Sequence, residues 1–394
     1  MRLLHAADLH LDSPIRAAAM RDPDLAGRIG AASRSVLGAI VNLALAQRVD
    51  VVVLAGDVFD DGVPDMAARM QLIGALSRLA AEGIPTVLIR GNHDALLDHA
   101  EHGPMGEGIH LLDRDRPTVE IKGAAFHGLS FESRHAARSM LPDYPAPRPG
   151  MRNVGIMHTS LGGAEGHDPY APCGEADLLG HGFDYWALGH IHKRFERRGE
   201  ASVAVMPGIP QGRHINEAEG GSVTIATLGG SAPQAEAHPV ARLGFARVDV
   251  FLDAGASQAE ALAAVRTVLA HAARPGCDMA LRVTLTGPGA AVWLTRTDAA
   301  EELCREAADA VEGVHVERAG VRLPETKALN GALASLPAIM AAQADEPGFR
   351  EQAARELSAL RDALPPQARD ALTDDMLDAL IAEGIAVVSA RLGG

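Results

Sequence analysis

Five short polar segments constrain the fold of this chain more than any other feature, because each comes directly after a run of β-branched or apolar residues. The segments are residues 8–10, 56–60, 91–94, 158–160 and 189–192. Each apolar run predicts a buried strand. Loops at the carboxyl edge of an α/β sheet bring distant parts of a chain to one point, and ligands bind there. We therefore expect the polar side chains of these segments to lie together.

Strand and helix patterns alternate in the first part of the chain. We predict strands over 2–7, 49–55 and 85–89, and helices near 32–48 and from the N-cap Asp65 to about 82. This alternation is typical of an α/β sheet with helices on its faces. Between 109 and 228 the predicted strands follow one another more closely. The predicted fold class is therefore α/β, with two sheets packed face to face and helices outside.

The length of 394 residues exceeds what one ordinary core needs and suggests two or three domains. We expect the first domain at 1–230, then a linker or edge ribbon at 229–242, and a β-α-β-α-β unit at 243–320. Ser257 and Glu260 form a predicted capping box at the start of a helix in that unit. The third region, 325–394, is predicted to be helical and is acidic.

The last predicted helix carries an apolar stripe. Its members are Leu377, Leu380, Ile381, Ile385, Val388 and Leu392. A stripe of this kind either packs on its own protein or docks on a partner. The sequence leaves both possibilities open.

Charge and apolar content limit the classes of protein to which the chain can belong. The formal net charge of −15 argues against a uniformly basic surface for nucleic acid, although a local basic groove is still possible. No segment has the ~20 uninterrupted apolar residues of a membrane span. The N-terminus leads into Asp8 without the apolar stretch of a cleaved signal, and the three separated cysteines indicate reduced thiols. We expect a cytoplasmic protein with no membrane contact.

The donor types in the polar segments suit hard or borderline divalent cations. Carboxylate, imidazole and amide donors without thiolate favour Mn, Fe, Zn or Mg. A site for two such ions about 3.5–4 Å apart needs a bridging ligand, and Asp57 is the natural bridge because Gly56 lets the chain turn sharply. Asp8 with His10, and His190 with His192, are each two residues apart, so each pair can turn onto one cation. A water between the ions could then attack the phosphorus of a phosphate ester.

The order D-x-H, GD-x-x-D, GNH-D, H and GH-x-H resembles the signature of the calcineurin-like metallophosphoesterases. Within that superfamily, HAADLHLD at the start and GDVFD at 56–60 resemble DNA repair nucleases of the SbcD type. The later PGIPQGRHINE at 207–217 is similar to their YhaO-like bacterial branch. The motifs cover residues 1–217. The resemblance implies a four-layer α-β-β-α sandwich, and the unit after 243 resembles the family's capping domain in layout.

The same resemblance implies a metal-ligand set, residue by residue. One cation would take Asp8, His10, Asp57 and His192, and the other would take Asp57, Asn92, His158 and His190. Mn is the cofactor that the resemblance implies, whereas the donor set alone leaves Fe, Mg and Zn possible.

Four further residues are candidates for roles beside the metals. The resemblance implies that His93 protonates the leaving oxygen or stabilises the transition state, which suits an imidazole. Asp60 could orient His93 as carboxylates orient imidazoles elsewhere, or could cap a turn. Arg213 and His214 follow a Pro-Gly turn and could meet a phosphate, or could point outward as surface charges.

Two classes of phosphate ester remain open as substrates. The resemblance implies a DNA exonuclease or endonuclease in DNA repair, with an SMC-like coiled-coil ATPase as a partner and a homodimer formed through the helices at 65–103. The alternative is a small-molecule phosphodiesterase or phosphatase, for example one acting on cyclic nucleotides. A third possibility is a scaffold with a degenerate site, against which the full set of expected ligands argues.

Overall fold

The structure of the protein is a computed structural model. It describes residues 1–15, 22–60, 66–96, 106–162, 170–230, 232–294, 298–322, 335–363 and 376–392. The predicted N-cap Asp65 and parts of the regions at 65–103 and 325–394 lie outside these residues. The chain divides into two compact units. The first comprises Met1–Ala246 with Arg274–Ala280, and the second comprises Arg247–Ala273 with Leu281–Gly394.

The first sheet of the first unit has six strands. They are β1 (Arg2–Ala6), β2 (Val51–Ala55), β3 (Thr86–Ile89), β4 (Ile109–Leu111), β11 (Ser222–Thr227) and β12 (Gln234–Pro239). Their spatial order is β12-β11-β1-β2-β3-β4. β1 to β4 are parallel, and β11 and β12 join antiparallel. The segment expected as a linker or edge ribbon therefore supplies the edge strand β12.

Two helices, α1 (Pro23–Ala46) and α2 (Met66–Ala81), cover the outer face of this sheet. Val36 and Ile40 of α1 and Leu76 of α2 belong to the same buried cluster as Val52 and Leu54 of β2. α1 begins well before the predicted start at 32. The reason is local, since the side chain of Asp22 accepts a hydrogen bond from Leu25 N and Pro23 occupies the first turn.

α1 is the one helix in the described part of the chain that is long and apolar enough to cross a membrane. Its apolar side chains, Val36, Ile40 and Val41 among them, are buried in the core against the first sheet. A core helix passes the same test of length and composition, and the packing of α1 is that of a core helix.

The second sheet also has six strands. They are β5 (Thr118–Ile121), β6 (Ala124–Gly128), β7 (Arg152–His158), β8 (Tyr185–Gly189), β9 (Phe195–Arg198) and β10 (Val203–Met206). Their spatial order is β5-β6-β7-β8-β10-β9. β6, β7, β8 and β10 are parallel, whereas the edge strands β5 and β9 are antiparallel to their neighbours.

The two sheets pack face to face, because alternate residues of the apolar strands point to opposite sides. Val51 and Val53 of β2 lie in one buried cluster with Phe126, Val154 and Ala187 of the second sheet. The outer face of the second sheet is covered by a short helix together with loop segments. In the described residues its cover is the short helix α3 (Glu175–Gly180), a 3-10 turn (Leu141–Asp143) and apolar loop side chains such as Phe131 and Met140.

The β-α-β-α-β pattern predicted after residue 243 is present. It consists of β13 (Leu243–Phe251), α4 (Gln258–Ala272), β14 (Asp278–Thr286), α5 (Ala299–Ala308) and β15 (Val314–Val321), in the sheet order β13-β14-β15. The predicted capping box of Ser257 and Glu260 is confirmed at the start of α4. A further 3-10 helix spans Pro288–Leu294.

The described residues of the C-terminal region form three helices, namely α6 (Leu336–Ala344), α7 (Pro347–Ala363) and α8 (Met376–Leu392). The predicted apolar stripe lies on α8. Leu380 and Val388 of that stripe are exposed, so α8 leaves part of the stripe open to solvent within the described residues.

Candidate metal centre

The five polar segments follow β1, β2, β3, β7 and β8 at the carboxyl end of each strand. The ends from both sheets meet, because His158 Nδ1 at the end of β7 lies 2.9 Å from the carbonyl oxygen of Ala55 at the end of β2. Backbone hydrogen bonds join the loops after β1 and β2, from Asp8 N to Gly56 O and from His10 N to Asp57 O. The structure therefore brings together all seven predicted metal ligands.

Two glycines permit this close approach. A Cβ atom on Gly189 would lie 2.0 Å from the carbonyl oxygen of Ala55, which belongs to the other sheet. A Cβ atom on Gly91 would lie 2.1 Å from Asp57 Oδ1. Real Cβ atoms do not come this close to oxygen, so no larger residue fits at either position without moving the loops apart.

Four of the predicted ligands have a left-handed backbone, which L-residues other than glycine rarely adopt. The φ angles are 57° at Asp8, 45° at His10, 50° at Asp57 and 103° at His190. Such conformations cost of order 1–3 kcal/mol each and persist only where the surrounding structure enforces them. Their concentration in one place marks the centre as a functional site, and the sequence patterns gave no indication of it.

The imidazoles of His10 and His192 meet at one end of the centre, with their Nε2 atoms 3.3 Å apart. His10 Nδ1 lies 2.8 Å from Asp60 Oδ1, and His192 Nδ1 lies 2.8 Å from Glu217 Oε1. Ionised carboxylates only accept hydrogen bonds, so His192 Nδ1 carries the proton that Glu217 accepts. Asp60 favours the proton on His10 Nδ1 through its charge, because the pair is a close ionic contact without hydrogen-bond alignment. In the neutral rings each Nε2 then presents a lone pair to the other, an arrangement that calls for a cation between them.

The other end of the centre is built by His158, Asn92 and His190. His158 Nδ1 donates to Ala55 O, so its Nε2 is the free nitrogen of the neutral ring. That nitrogen lies 3.0 Å from Asn92 Oδ1 and 3.3 Å from Asp57 Oδ2. His190 Nδ1 lies 3.3 Å from the same amide oxygen. Nitrogen and oxygen donors thus converge here as well.

Asp57 lies between the two ends. Its Oδ2 is 3.3 Å from His158 Nε2 and 3.9 Å from His10 Nε2. The side chains of Asp8 with His10 and His192, and of Asp8 with Asp57 and His158, each place three ligand atoms within 4.8 Å of one another. Asp8 is common to both groups, and Asp57 faces an imidazole at each end of the centre, so the donor set suits two divalent cations.

The electrostatics of the centre favour buried positive charge. Burial disfavours the protonated ring of His158, but Asp57 and Asp8 outweigh it and raise the His158 pKa to about 9. Burial would raise the pKa of Asp57, yet the facing imidazoles of His158 and His10 hold that pKa well below its usual range. In the metal-free protein a proton therefore takes the place of a cation beside Asp57.

His93 lies at the edge of the centre with its side chain 44% exposed. Its backbone N–H donates to Asp57 Oδ1 at 3.0 Å, and its Nδ1 lies 3.0 Å from the carbonyl oxygen of Asp60. The Asp60 carboxylate is 3.5 Å from His93 Nδ1 but 2.8 Å from His10 Nδ1. Asp60 therefore orients His93 mainly through its backbone, while its side chain orients His10.

Arg213 does not present a free guanidinium. It hydrogen bonds to Glu217, Asp60 and Ser13, and its side chain is 15% exposed. Arg213 is therefore not an outward surface charge, and its contact with a phosphate stays a prediction. His214 is exposed, and its Nε2 lies 3.6 Å from Glu217 Oε1.

Two further carboxylates belong to the centre: Glu217, to which sequence patterns assigned no role, and Asp94, which lies in the polar segment 91–94 but was not among the expected ligands. The Asp94 side chain accepts hydrogen bonds from Val58 N at 2.9 Å and Gly91 N at 2.6 Å, and so joins the loops after β2 and β3. Burial and the neighbouring Asp57 raise the Asp94 pKa to about 6. The only signal for Glu217 was its place in the same segment as Arg213.

Comparisons with known proteins find similar sequences. A model of the calcineurin-like phosphoesterase family matches residues 1–194. The metallophosphoesterase YhaO of Bacillus subtilis is 33% identical over 223 residues, which are 55% of this chain and 55% of YhaO. The DNA double-strand break repair protein Mre11 of Saccharolobus solfataricus is 28% identical over 230 residues, or 56% of this chain and 57% of that protein. The chain thus spans just over half the length of these relatives.

Two solved structures also match. The protein TT1561 of Thermus thermophilus shows 14% identity and a TM-score of 0.37, and the match covers 60% of this chain and 98% of that one. A novel archaeal phosphodiesterase shows 12% identity and a TM-score of 0.33, with 60% and 100% covered.

Proposed function

We propose that the protein hydrolyses phosphodiester bonds of DNA with two divalent cations, since a model of the calcineurin-like phosphoesterase family matches residues 1–194. The convergence of nitrogen and oxygen lone pairs from five strand ends, with Asp57 among them, carries the proposal, because donors this close together call for cations. When bound, the two cations would supply a nucleophile by lowering the pKa of water and would neutralise charge on the phosphate.

The residues that would hold each cation are those of the two ends of the centre. Asp8, His10, Asp57 and His192 would hold one, and Asp57, Asn92, His158 and His190 would hold the other. Glu217 accepts a hydrogen bond from His192 Nδ1, and the Asp60 carboxylate lies 2.8 Å from His10 Nδ1, so that both Nε2 atoms would be available to bind metal.

His93 is the candidate acid. Its Nδ1 lies 3.0 Å from the carbonyl oxygen of Asp60 and 3.5 Å from the Asp60 carboxylate. Protonated His93 would give its Nε2 proton to the leaving oxygen, which would otherwise depart as an alkoxide. Its partial exposure beside a buried centre suits a group that must meet a large substrate.

DNA is the proposed substrate because the relatives named Mre11 are DNA double-strand break repair proteins. We propose Mn²⁺ as the resident ion and DNA repair in the cytoplasm as the setting, on the strength of the resemblance. We also propose 1–230 as the nuclease domain, 243–320 as a cap, and 325–394 as the docking region for an SMC-like coiled-coil ATPase. A homodimer is part of the same proposal.

The test compares substrates at equal concentrations of the purified chain with Mn²⁺. We expect cleavage of duplex oligonucleotides, with turnover of a chromogenic phosphodiester and little turnover of a phosphomonoester. Chelation should abolish cleavage, and added Mn²⁺ should restore it. Turnover of the small phosphodiester alone would instead favour a small-molecule phosphodiesterase. A complete lack of Mn²⁺-dependent hydrolysis would contradict the proposed chemistry.

A further inference from the structure

Five side chains form a closed ring around one end of the metal centre. The ring runs through His10, Asp60, Arg213, Glu217 and His192. Arg213 Nη1 lies 3.3 Å from Asp60 Oδ1, and Arg213 Nη2 lies 2.9 Å from Glu217 Oε1. Each carboxylate lies 2.8 Å from the Nδ1 of one imidazole. The ring closes where the two Nε2 atoms face each other at 3.3 Å.

From this ring we infer that Arg213 is a positioning residue that sets the cation affinity of the His10–His192 end, rather than a residue that binds the substrate. The inference rests on the proposed function, since it needs a cation at that end. Arg213 acts at one remove: it fixes the two carboxylates, and the carboxylates fix the two imidazoles that would bind the ion.

The contacts of Arg213 leave it little capacity to bind a phosphate. Its guanidinium donates to Asp60, Glu217 and Ser13 Oγ, and its backbone N–H donates to Glu217 Oε2 at 2.7 Å. A planar guanidinium with donors in a fixed fork can hold two carboxylates at once, which a lysine ammonium cannot do with the same geometry. These bonds use the Nε donor, both Nη1 donors and one Nη2 donor, so a bidentate phosphate contact would require Arg213 to release one of its present partners.

The guanidinium of Arg213 stabilises the two carboxylates, and the carboxylates in turn orient the two imidazoles. The side chain of Glu217 is 5% exposed and that of Asp60 is 23% exposed. Removal of Arg213 would leave two poorly solvated negative groups next to each other, and they would turn toward water or toward the cation. In either case the Nδ1 contacts that orient His10 and His192 would be lost. Substitution of residues that hold metal ligands in position typically lowers metal affinity about 10–100-fold.

The ring touches only one end of the centre. The ring nitrogen of His158 that faces away from Asp57 donates to the backbone carbonyl of Ala55, which no side-chain substitution removes. Loss of Arg213 should therefore weaken the binding of one cation and leave the binding of the other unchanged. This selectivity separates a positioning role from general damage to the fold.

The experiment is a titration of the metal-free, full-length chain with Mn²⁺ alone, with free Mn²⁺ followed by electron paramagnetic resonance. We expect two bound ions in the wild type. In Arg213→Ala one ion should bind roughly 10–100-fold more weakly and the other as before, with a smaller loss of about tenfold in Glu217→Gln. Arg197→Ala breaks a comparable arginine–glutamate pair outside the ring, with Glu175, and should bind both ions like the wild type.

A second readout distinguishes positioning from substrate binding. In a chelator, without divalent cations, duplex DNA should bind Arg213→Ala as tightly as it binds the wild type. Arg213→Lys keeps the charge and serves if Arg213→Ala does not fold, as judged by circular dichroism; it should show the same one-site loss. Wild-type Mn²⁺ binding in Arg213→Ala, Arg213→Lys and Glu217→Gln would overturn the inference, as would weaker DNA binding with intact Mn²⁺ sites. A wild type that binds no Mn²⁺ would contradict the proposed function itself.

Discussion

Two fully buried histidines, one between the sheets and one in the metal centre, have opposite tendencies to carry charge. His5 and His158 each place one ring nitrogen 2.9 Å from a backbone carbonyl, that of Leu188 for His5 and that of Ala55 for His158. Burial lowers the pKa of His5 to about 3. Burial acts on His158 in the same direction, yet its pKa is raised to about 9.

The difference lies in what faces the second ring nitrogen. His5 Nδ1 lies 3.0 Å from the Tyr185 hydroxyl, which is neutral, whereas His158 Nε2 lies 3.3 Å from the Asp57 carboxylate. The interior of this protein therefore excludes positive charge at His5 and stabilises it at His158. A site that stabilises a buried proton in this way will also attract a divalent cation.

Asp57→Asn should have the largest effect, because it removes the negative charge that raises the pKa of His158 above that of His5. Hydrolysis should fall roughly 10³-fold or more, equivalent to about 4 kcal/mol of transition-state stabilisation. Binding of both Mn²⁺ ions should weaken, since Asp57 lies between the two ends and faces an imidazole of each. Turnover and Mn²⁺ titration check this. Nuclear magnetic resonance of the metal-free variant should also show the pKa of His158 reduced toward that of His5.

His93→Asn should have the next largest effect and should leave the metals in place. Without an acid for the leaving oxygen, turnover should fall roughly 10²–10⁴-fold. Mn²⁺ binding should be unchanged, because the His93 ring contacts the backbone of Asp60 rather than the Asp57 carboxylate. Steady-state kinetics and the Mn²⁺ titration check these two outcomes. Full turnover in this variant would refute the acid role.

Mn²⁺ uptake should depend on pH because the ion must displace the proton on His158. The metal-free ring stays protonated up to a pKa of about 9, and the metal-bound ring is neutral. Apparent affinity at that end should therefore rise about tenfold per pH unit as pH increases toward 9, and then level off. Mn²⁺ titrations at several values between about pH 6.5 and 9.5, which span that pKa, check this. An affinity independent of pH would show that Asp57 does not hold a proton on His158.

His5 should make the smallest contribution, and it concerns stability rather than activity. Its pKa is lowered to about 3 in the folded state, whereas the unfolded chain takes up the proton below about 6.5. The stability that neutral His5 provides is present above pH 6.5 and is lost as pH falls toward 3. Between about pH 7 and pH 5 the loss should be about 2 kcal/mol. Denaturant unfolding of wild type and His5→Gln checks this, since the variant should lose less stability over that range.

Local sequence patterns sufficed to predict the strands that carry the site and the residues that follow them. Strands such as β2 are buried on both faces. They therefore consist of continuous apolar residues, which can be recognised as strands in the sequence. The polar residues at their ends converge because parallel strands end at one edge. The capping box at Ser257 and Glu260 was predictable for the same reason, because its partners are three residues apart.

Contacts between distant segments were not predictable in this way. Glu217 lies in a 3-10 turn far along the chain from His10, and only the packed sheets bring it to His192. The side chain of Asp60 was expected to orient His93. The structure places it nearer to His10, and nothing in the local sequence pattern indicates this. The left-handed backbone at Asp8, His10 and Asp57 is likewise enforced by tertiary contacts, so the residue types themselves give no sign of it.

The most direct test of a shared cation site at Asp57 is anomalous diffraction from crystals of the chain soaked in Mn²⁺. Two peaks about 3.5–4 Å apart are expected, one on each side of Asp57, with His10 and His192 on the first ion and Asn92 and His158 on the second. No peak beside Asp57, or side chains turned away from one another around it, would contradict the account.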